Sequence, residues 1–310
     1  MDWFLLAFVA PILWAWATVI DTYFVHGIYK DALDGTVISG LFQSVPWILV
    51  PLGLVEFQFP GNTAALLAFV SGCLFLLSVF CYFKALFVVN DGSLVLVLLS
   101  LNVPMVPFIA WLLIGERLSP NHYAGVAVAF LGAVLFGLAA KMKSKQGFQI
   151  ALTMVGAVTL ISLSMVVGKK AYQLKVDDFW SVFLLFSSGA SLMAVLLLGF
   201  QGRESAIGRA HRFLGLRRRF FFLFLIAEAL AVVGIITSQR AVSLAPSVSY
   251  VAVIESLVPV FVMFTSLFLV GICRVTGRRG LESAYREQFA GLRIKVLAMA
   301  MIAAGIYVIA

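Results

Sequence analysis

The stretch "LSLNVPMVPFIAWLLIGERLSPNHYAGVAVAFLGAVLFGL" (Leu99–Leu138) holds two apolar runs of helical length joined by a Gly-Glu-Arg corner. At roughly 1.5 Å per residue, about twenty such residues cross the ~30 Å hydrocarbon layer of a bilayer. The first run carries Ser100, Asn102, Pro104 and Pro107, residues a plain lipid-facing helix has no use for. Each proline removes an N–H donor, which leaves carbonyls near residues 100–103 without helical partners. Unsatisfied carbonyls at that depth are tolerated only against other protein or beside a water-filled cavity. Asn102 beside them favours the cavity, with the prolines as hinges.

The rest of the chain repeats this chemistry. Its 310 residues are 63% hydrophobic and 12% charged, too little polar surface to clothe a soluble domain, and its mean hydropathy is +1.07. Ten candidate spans are expected, near 3–25, 36–55, 64–86, 93–115, 122–140, 149–168, 179–200, 220–239, 247–271 and 294–309. The first lacks the basic leader and small-residue cleavage site of a signal peptide, so it is expected to be retained. Cys73, Cys81 and Cys273 show no paired spacing, and His26, His122 and His211 stand singly. No metal site, cofactor motif or hydrolase signature emerges. Only isolated carboxylates at different depths are present, which argues against an enzyme.

An internal repeat of five and five spans is expected. "LSLNVPMVPFIAWLLIG" (99–115) resembles "ESLVPVFVMFTSLFLVG" (255–271), with Pro104 opposite Pro259. "HYAGVAVAFLGAVLFG" (122–137) resembles "KVLAMAMIAAGIYVIA" (295–310), with Gly132 opposite Gly305 and Gly125 opposite Ala298. The offset grows from 155 to 173, so the second unit carries an insertion at about 272–293. An odd number of spans per unit makes the repeat inverted. The expected architecture is an all-α integral membrane protein of ten helices, with units at 1–141 and 142–310. The proline-bearing span, "GERL" at its end and the two following glycines resemble the EamA domain of the drug/metabolite transporter superfamily. "WAWATVIDTYFVHGIYKD" and "SLAPSVSYVAVIESLVPVFVMF" extend the likeness. In the second unit Gly271 is followed by Ile272 where the family pattern has glutamate.

Charge sets the expected orientation. Loops after odd spans hold 17 Lys and Arg, and loops after even spans hold 5. The positive-inside rule then places odd loops in the cytoplasm and both termini outside, in a plasma (inner) membrane. The family resemblance implies the opposite orientation for ten-span members. The net charge of +8 is explained by juxtamembrane arginines meeting anionic headgroups at the basic loops 201–219 and 272–295, with no nucleic acid.

Candidate functional residues are those costly to insert, since a carboxylate at mid-span costs about 2.5–3.5 kcal/mol on insertion scales. Glu228 and Glu255 qualify, and Asp21 lies nearer a helix end. Gln239 follows Glu228 by three helical turns and shares its face. Ser100 and Asn102 match Glu255 in depth, where inverted-repeat transporters hold substrate. Pro259 repeats the hinge of Pro104 and Pro107. Glu116 is expected to cap the following helix, and Gly125, Gly132 and Gly305 to allow close helix approach. These features point to a secondary transporter of a small-molecule solute working by alternating access, coupled to protons or to exchange. A lipid or polyprenyl-phosphate flippase is the alternative within the same fold. A membrane enzyme or a non-transporting partner subunit is the alternative outside it.

Overall fold

The computed structural model describes residues 2–89, 95, 98–99, 101–138, 144–199, 218–275 and 292–309. Ser100, the 141/142 unit boundary and most of both basic loops (201–217 and 276–291) lie outside them. The described residues form helices α1 (Trp3–Gly27), α2 (Ala32–Phe42), α3 (Asn62–Val89), α4 (Asn102–Ile114), α5 (Pro120–Leu138) and α6 (Ser144–Leu174). The series continues with α7 (Phe179–Gly199), α8 (Arg218–Leu244), α9 (Val248–Glu255), α10 (Val258–Val275) and α11 (Leu292–Ile309). No strand occurs among them.

Six segments are long and apolar enough to cross a membrane: Trp3–Val25, Asn62–Val88, Leu152–Leu174, Phe179–Gly199, Phe221–Leu244 and Val248–Leu269. Large apolar side chains also face outward, among them Phe108, Leu112, Leu131, Val195 and Phe268. Such an exterior suits lipid and not water. The protein is a multi-pass, membrane-embedded helical bundle.

Several helices differ from their expected limits. The second apolar run, expected at 36–55, yields only the eleven residues of α2 and a 3-10 turn at Val45–Leu49, with Pro46 at its start. Asp31 opens α2 by accepting the Leu33 and Asp34 backbone N–H groups. Lys169, assigned by charge counting to a loop, lies inside α6 and is buried. α10 runs to Val275 and α11 begins at Leu292, so most of the segment expected as an insertion, about 272–293, lies outside the described residues.

Pro104 and Pro259 stand at helix starts. Leu101 is a turn residue and α4 begins at Asn102, so Pro104 falls in its first turn. Ser256 and Leu257 likewise interrupt the chain between α9 and α10, and Pro259 falls in the first turn of α10. A missing N–H costs nothing there, because the first-turn donors lack helical acceptors in any case. Pro107, by contrast, sits within an unbroken α4. The expected hinges at Pro104 and Pro259 coincide with breaks in the backbone, and the one at Pro107 does not.

Lipid is as apolar as leucine, so packing inside the bundle depends on close backbone approach. The α3–α7 contact shows this most plainly. A Cβ added at Gly72 would fall on the Phe186 carbonyl, and one at Gly189 on the Phe69 carbonyl. Between α5 and α11, a Cβ on Gly125 would lie 2.9 Å from the Gly305 carbonyl oxygen, and one on Gly132 would lie 2.8 Å from that of Ala298. The expected role of Gly125, Gly132 and Gly305 in close approach matches this geometry.

Candidate functional site: a central acidic cavity

A cavity of about 180 Å³ opens where the two helix breaks meet α1, α2, α3 and α8. Asp21 and Trp14 reach it from α1, Ser39 and Gln43 from α2 and the turn after it, and Phe75, Tyr82 and Phe83 from α3. Asn102 enters from the first residue of α4, Glu255 and Ser256 from the α9–α10 break, and Ala231 and Ile235 from α8. Three of the residues singled out by sequence, Asp21, Asn102 and Glu255, therefore share one chamber although they are far apart in the chain.

Hydrogen bonding explains how the acids are held. The Ser238 hydroxyl, one helix away on α8, donates to Glu255 Oε1 at 2.5 Å. Glu228 lies one turn before Ala231 on α8, and its Oε1 accepts from the Ser39 hydroxyl at 3.3 Å. Ser39 itself lines the cavity, so Glu228 stands just behind the wall. Its Oε2 is buried without a hydrogen-bond partner in the protein, as are Asn102 Oδ1 and Gln43 Oε1. Buried polar atoms are almost always paired with protein or ordered water. These orphans, contributed by α4, α8 and the turn after α2, stand around a chamber made for polar contents.

Gln239 does not join this chamber. It is buried in the opposite half of α8, where its Oε1 accepts from the Tyr172 hydroxyl at 3.2 Å. The polar stripe expected from the spacing of Glu228 and Gln239 is thus divided between two environments. Beyond Gln239 lies a second, wider pocket of about 850 Å³ at that end of the bundle, lined by Leu6, Glu56, Asp178, Phe179, Ile236 and Arg240 among others. The Arg240 guanidinium sits 4.9 Å over the Phe179 ring. Ile235 lines the central cavity and its neighbour Ile236 the outer pocket, so both pockets border α8 at this point. Phe179 of the outer pocket, Phe183, Phe186 and Phe75 of the central cavity form a column between them, with successive ring centroids 5.5, 6.0 and 5.5 Å apart.

Glu116 has a different role from the one expected. Gly115, at φ +69°, ends α4 in the left-handed conformation that glycine adopts without strain. This turns Glu116 away from α5, whose first turn is capped by Ser119, the acceptor for the His122 N–H. Glu116 reaches α9 instead. It accepts from the Ser247 hydroxyl at 2.5 Å, the Ser249 hydroxyl at 2.9 Å and the Val248 N–H at 3.3 Å. Just upstream, Lys169 Nζ donates to the carbonyls of Val242 and Ala245 at the end of α8. A cation at a helix C-terminus and an anion at the next N-terminus both complement the backbone dipoles. The elbow between α8 and α9 is thereby clasped from α6 and from the corner after α4.

Sequence reasoning missed Ser39, Gln43, Tyr82, Ser238 and Lys169. A lone hydroxyl or amide among apolar residues resembles an ordinary helix-packing group, and Lys169 was counted as a loop charge. Trp14 also stands in the cavity wall.

No model of a known protein family matches the chain. No curated protein matches it either. A crystal structure of another protein does align with it, over 99% of this chain and 96% of its own, with a TM-score of 0.64 and 19% identity. At that identity the likeness is one of fold alone.

Proposed function

We propose that this protein is a secondary transporter of small metabolites, moving its solute by alternating access between two inverted five-helix units. The observation that carries the reading is the central cavity, where Asp21, Asn102 and Glu255 converge beside two interrupted helices. Discontinuous helices around a mid-membrane chamber are the usual architecture of carrier sites, and buried carboxylates are the usual carriers of coupling charge.

Two further observations support the repeat. The offset of 155 that aligns Pro104 with Pro259 also carries the Leu101 turn onto the Ser256 break. The glycine contacts come in crossed pairs as well: Gly125 meets Gly305 and Gly132 meets Ala298, the pairing that a two-fold axis exchanging α5 and α11 requires. Both sit with a ten-span arrangement and with the resemblance to EamA-domain transporters. In this reading the aromatic column closes one end of the pathway, and solute reaches the chamber from the other. Energy comes from a proton gradient or from exchange, and the plasma membrane is the site of action.

The test is flux in proteoliposomes. Glu255→Gln should abolish coupled uptake or export of a solute identified by a binding screen, with the protein still folded and monodisperse. Flux equal to the unaltered protein's across the pH range rejects the role given to Glu255.

A further inference from the structure

The walls of the central cavity carry a charge pattern that narrows what can bind there. Asp21 and Glu255 line it, and Glu228 is joined to its wall through Ser39. Among the described lining residues there is no lysine, arginine or histidine. The cations nearest in sequence are engaged elsewhere: Lys84 is exposed and lies over the Phe80 ring, and Arg240 lies over Phe179 in the outer pocket. Four aromatic side chains, Trp14, Phe75, Tyr82 and Phe83, stand in the same lining among aliphatic and uncharged polar residues. Carboxylates set among aromatic faces attract a cation twice, through charge and through the ring quadrupoles. The same surroundings repel an anion, which would enter a low-dielectric chamber with no positive partner.

Size sets a second limit. A protein cavity of about 150 Å³ accommodates a benzene ring, and this one is about 180 Å³.

We infer that the cavity is a binding site for a small organic monocation whose apolar body is no larger than about one six-membered ring. Its charged end lies between Asp21 and Glu255 and its body lies against Trp14 and Phe75. The inference rests on the carrier reading for its biological meaning, but binding is tested separately from movement.

Purified protein in nanodiscs is titrated by calorimetry with N-methylpyridinium, uncharged pyridine and benzoate, probes with a six-membered ring that differ in charge. N-methylpyridinium should bind at least ~10-fold more tightly than either of the others. Glu255→Gln and Asp21→Asn should each weaken it by about tenfold and leave pyridine within about twofold. These residues stand on different helices, so if one variant fails to fold the other still decides. Benzoate binding as tightly as N-methylpyridinium, or N-methylpyridinium binding unmoved by the folded variants, overturns the inference. Flux of labelled N-methylpyridinium in proteoliposomes is measured in parallel. Selective, carboxylate-dependent binding without flux upholds the cation site and removes the carrier reading. Flux of the neutral or anionic probe without selective cation binding does the reverse.

Discussion

Replacing Glu116 by alanine should loosen the elbow between α8 and α9 by an amount that can be estimated from its hydrogen bonds. The carboxylate accepts from two serine hydroxyls and from the Val248 N–H. A hydrogen bond to a charged group contributes about 1.5–3 kcal/mol, and these three are not additive. Glu116 is half-buried, so water entering the space its side chain leaves recovers part of the loss, although Ser247 and Ser249 are themselves buried. Ser247 also remains the local cap, because its Oγ still accepts from the Ser249 N–H at 3.1 Å. What is not recovered is the pairing of the Val248 N–H and the charge at the helix N-terminus, together about 2 kcal/mol. Hydrogen exchange followed by mass spectrometry reads this directly. A local opening energy lowered by about 2 kcal/mol speeds exchange about thirtyfold, and the effect should be confined to the peptide spanning 247–250. Glu116→Gln, which keeps an acceptor without the charge, should fall between alanine and the unaltered protein. Exchange within about twofold of the unaltered protein in both variants would refute the clasp.

Three further outcomes follow from the packing, the buried acids and the charge distribution. Gly72→Ala places a Cβ on the Phe186 carbonyl, an obstacle of backbone that no rotamer relieves, so melting in detergent should show a loss near 3 kcal/mol, the upper end of overpacking costs; an unchanged melt contradicts the α3–α7 contact. Glu228→Gln keeps an acceptor for Ser39 and removes a buried carboxylate with an unpartnered oxygen, so thermal stability should hold or rise while transport falls; a clear loss of stability would mean that the charge itself supports the fold. Gln58, whose N–H is held by Ser181 while its side chain is exposed, lies in the loop before α3, so Gln58→Cys in a cysteine-free background should react with an impermeant thiol reagent added outside whole cells; reaction only after permeabilisation reverses the orientation inferred from the positive-inside rule.

Much of the molecule was legible in the sequence because lipid enforces simple rules. Runs of apolar residues revealed the long helices, and the prolines revealed where backbone would be interrupted. The acids at 21 and 255 stood out because a carboxylate is expensive to bury, and the amide at 102 because it stands beside two prolines. What was not legible is how helices meet. Glu228 and Gln239 share a helical face, yet the neighbours along that face change from α2 to α6, and only the packing decides which residue reaches the cavity. Glu116 looked like a cap for the next helix in sequence, and the left-handed turn at Gly115 sends it to another one. Ser39, Ser238 and Lys169 carried no signal, because their importance lies wholly in partners distant in the chain.

The central claim is that a solvent-reachable chamber lies between the helix breaks, and accessibility of Ala17 tests it most directly. This small residue lines the cavity and is 5% exposed. With Cys73, Cys81 and Cys273 replaced, Ala17→Cys should react with a small water-soluble methanethiosulfonate reagent in sealed vesicles, and solute should protect it. A thiol at this position that stays inert in vesicles of either orientation, with and without solute, would mean that the acids are sealed in dry helix contacts and that no pathway exists.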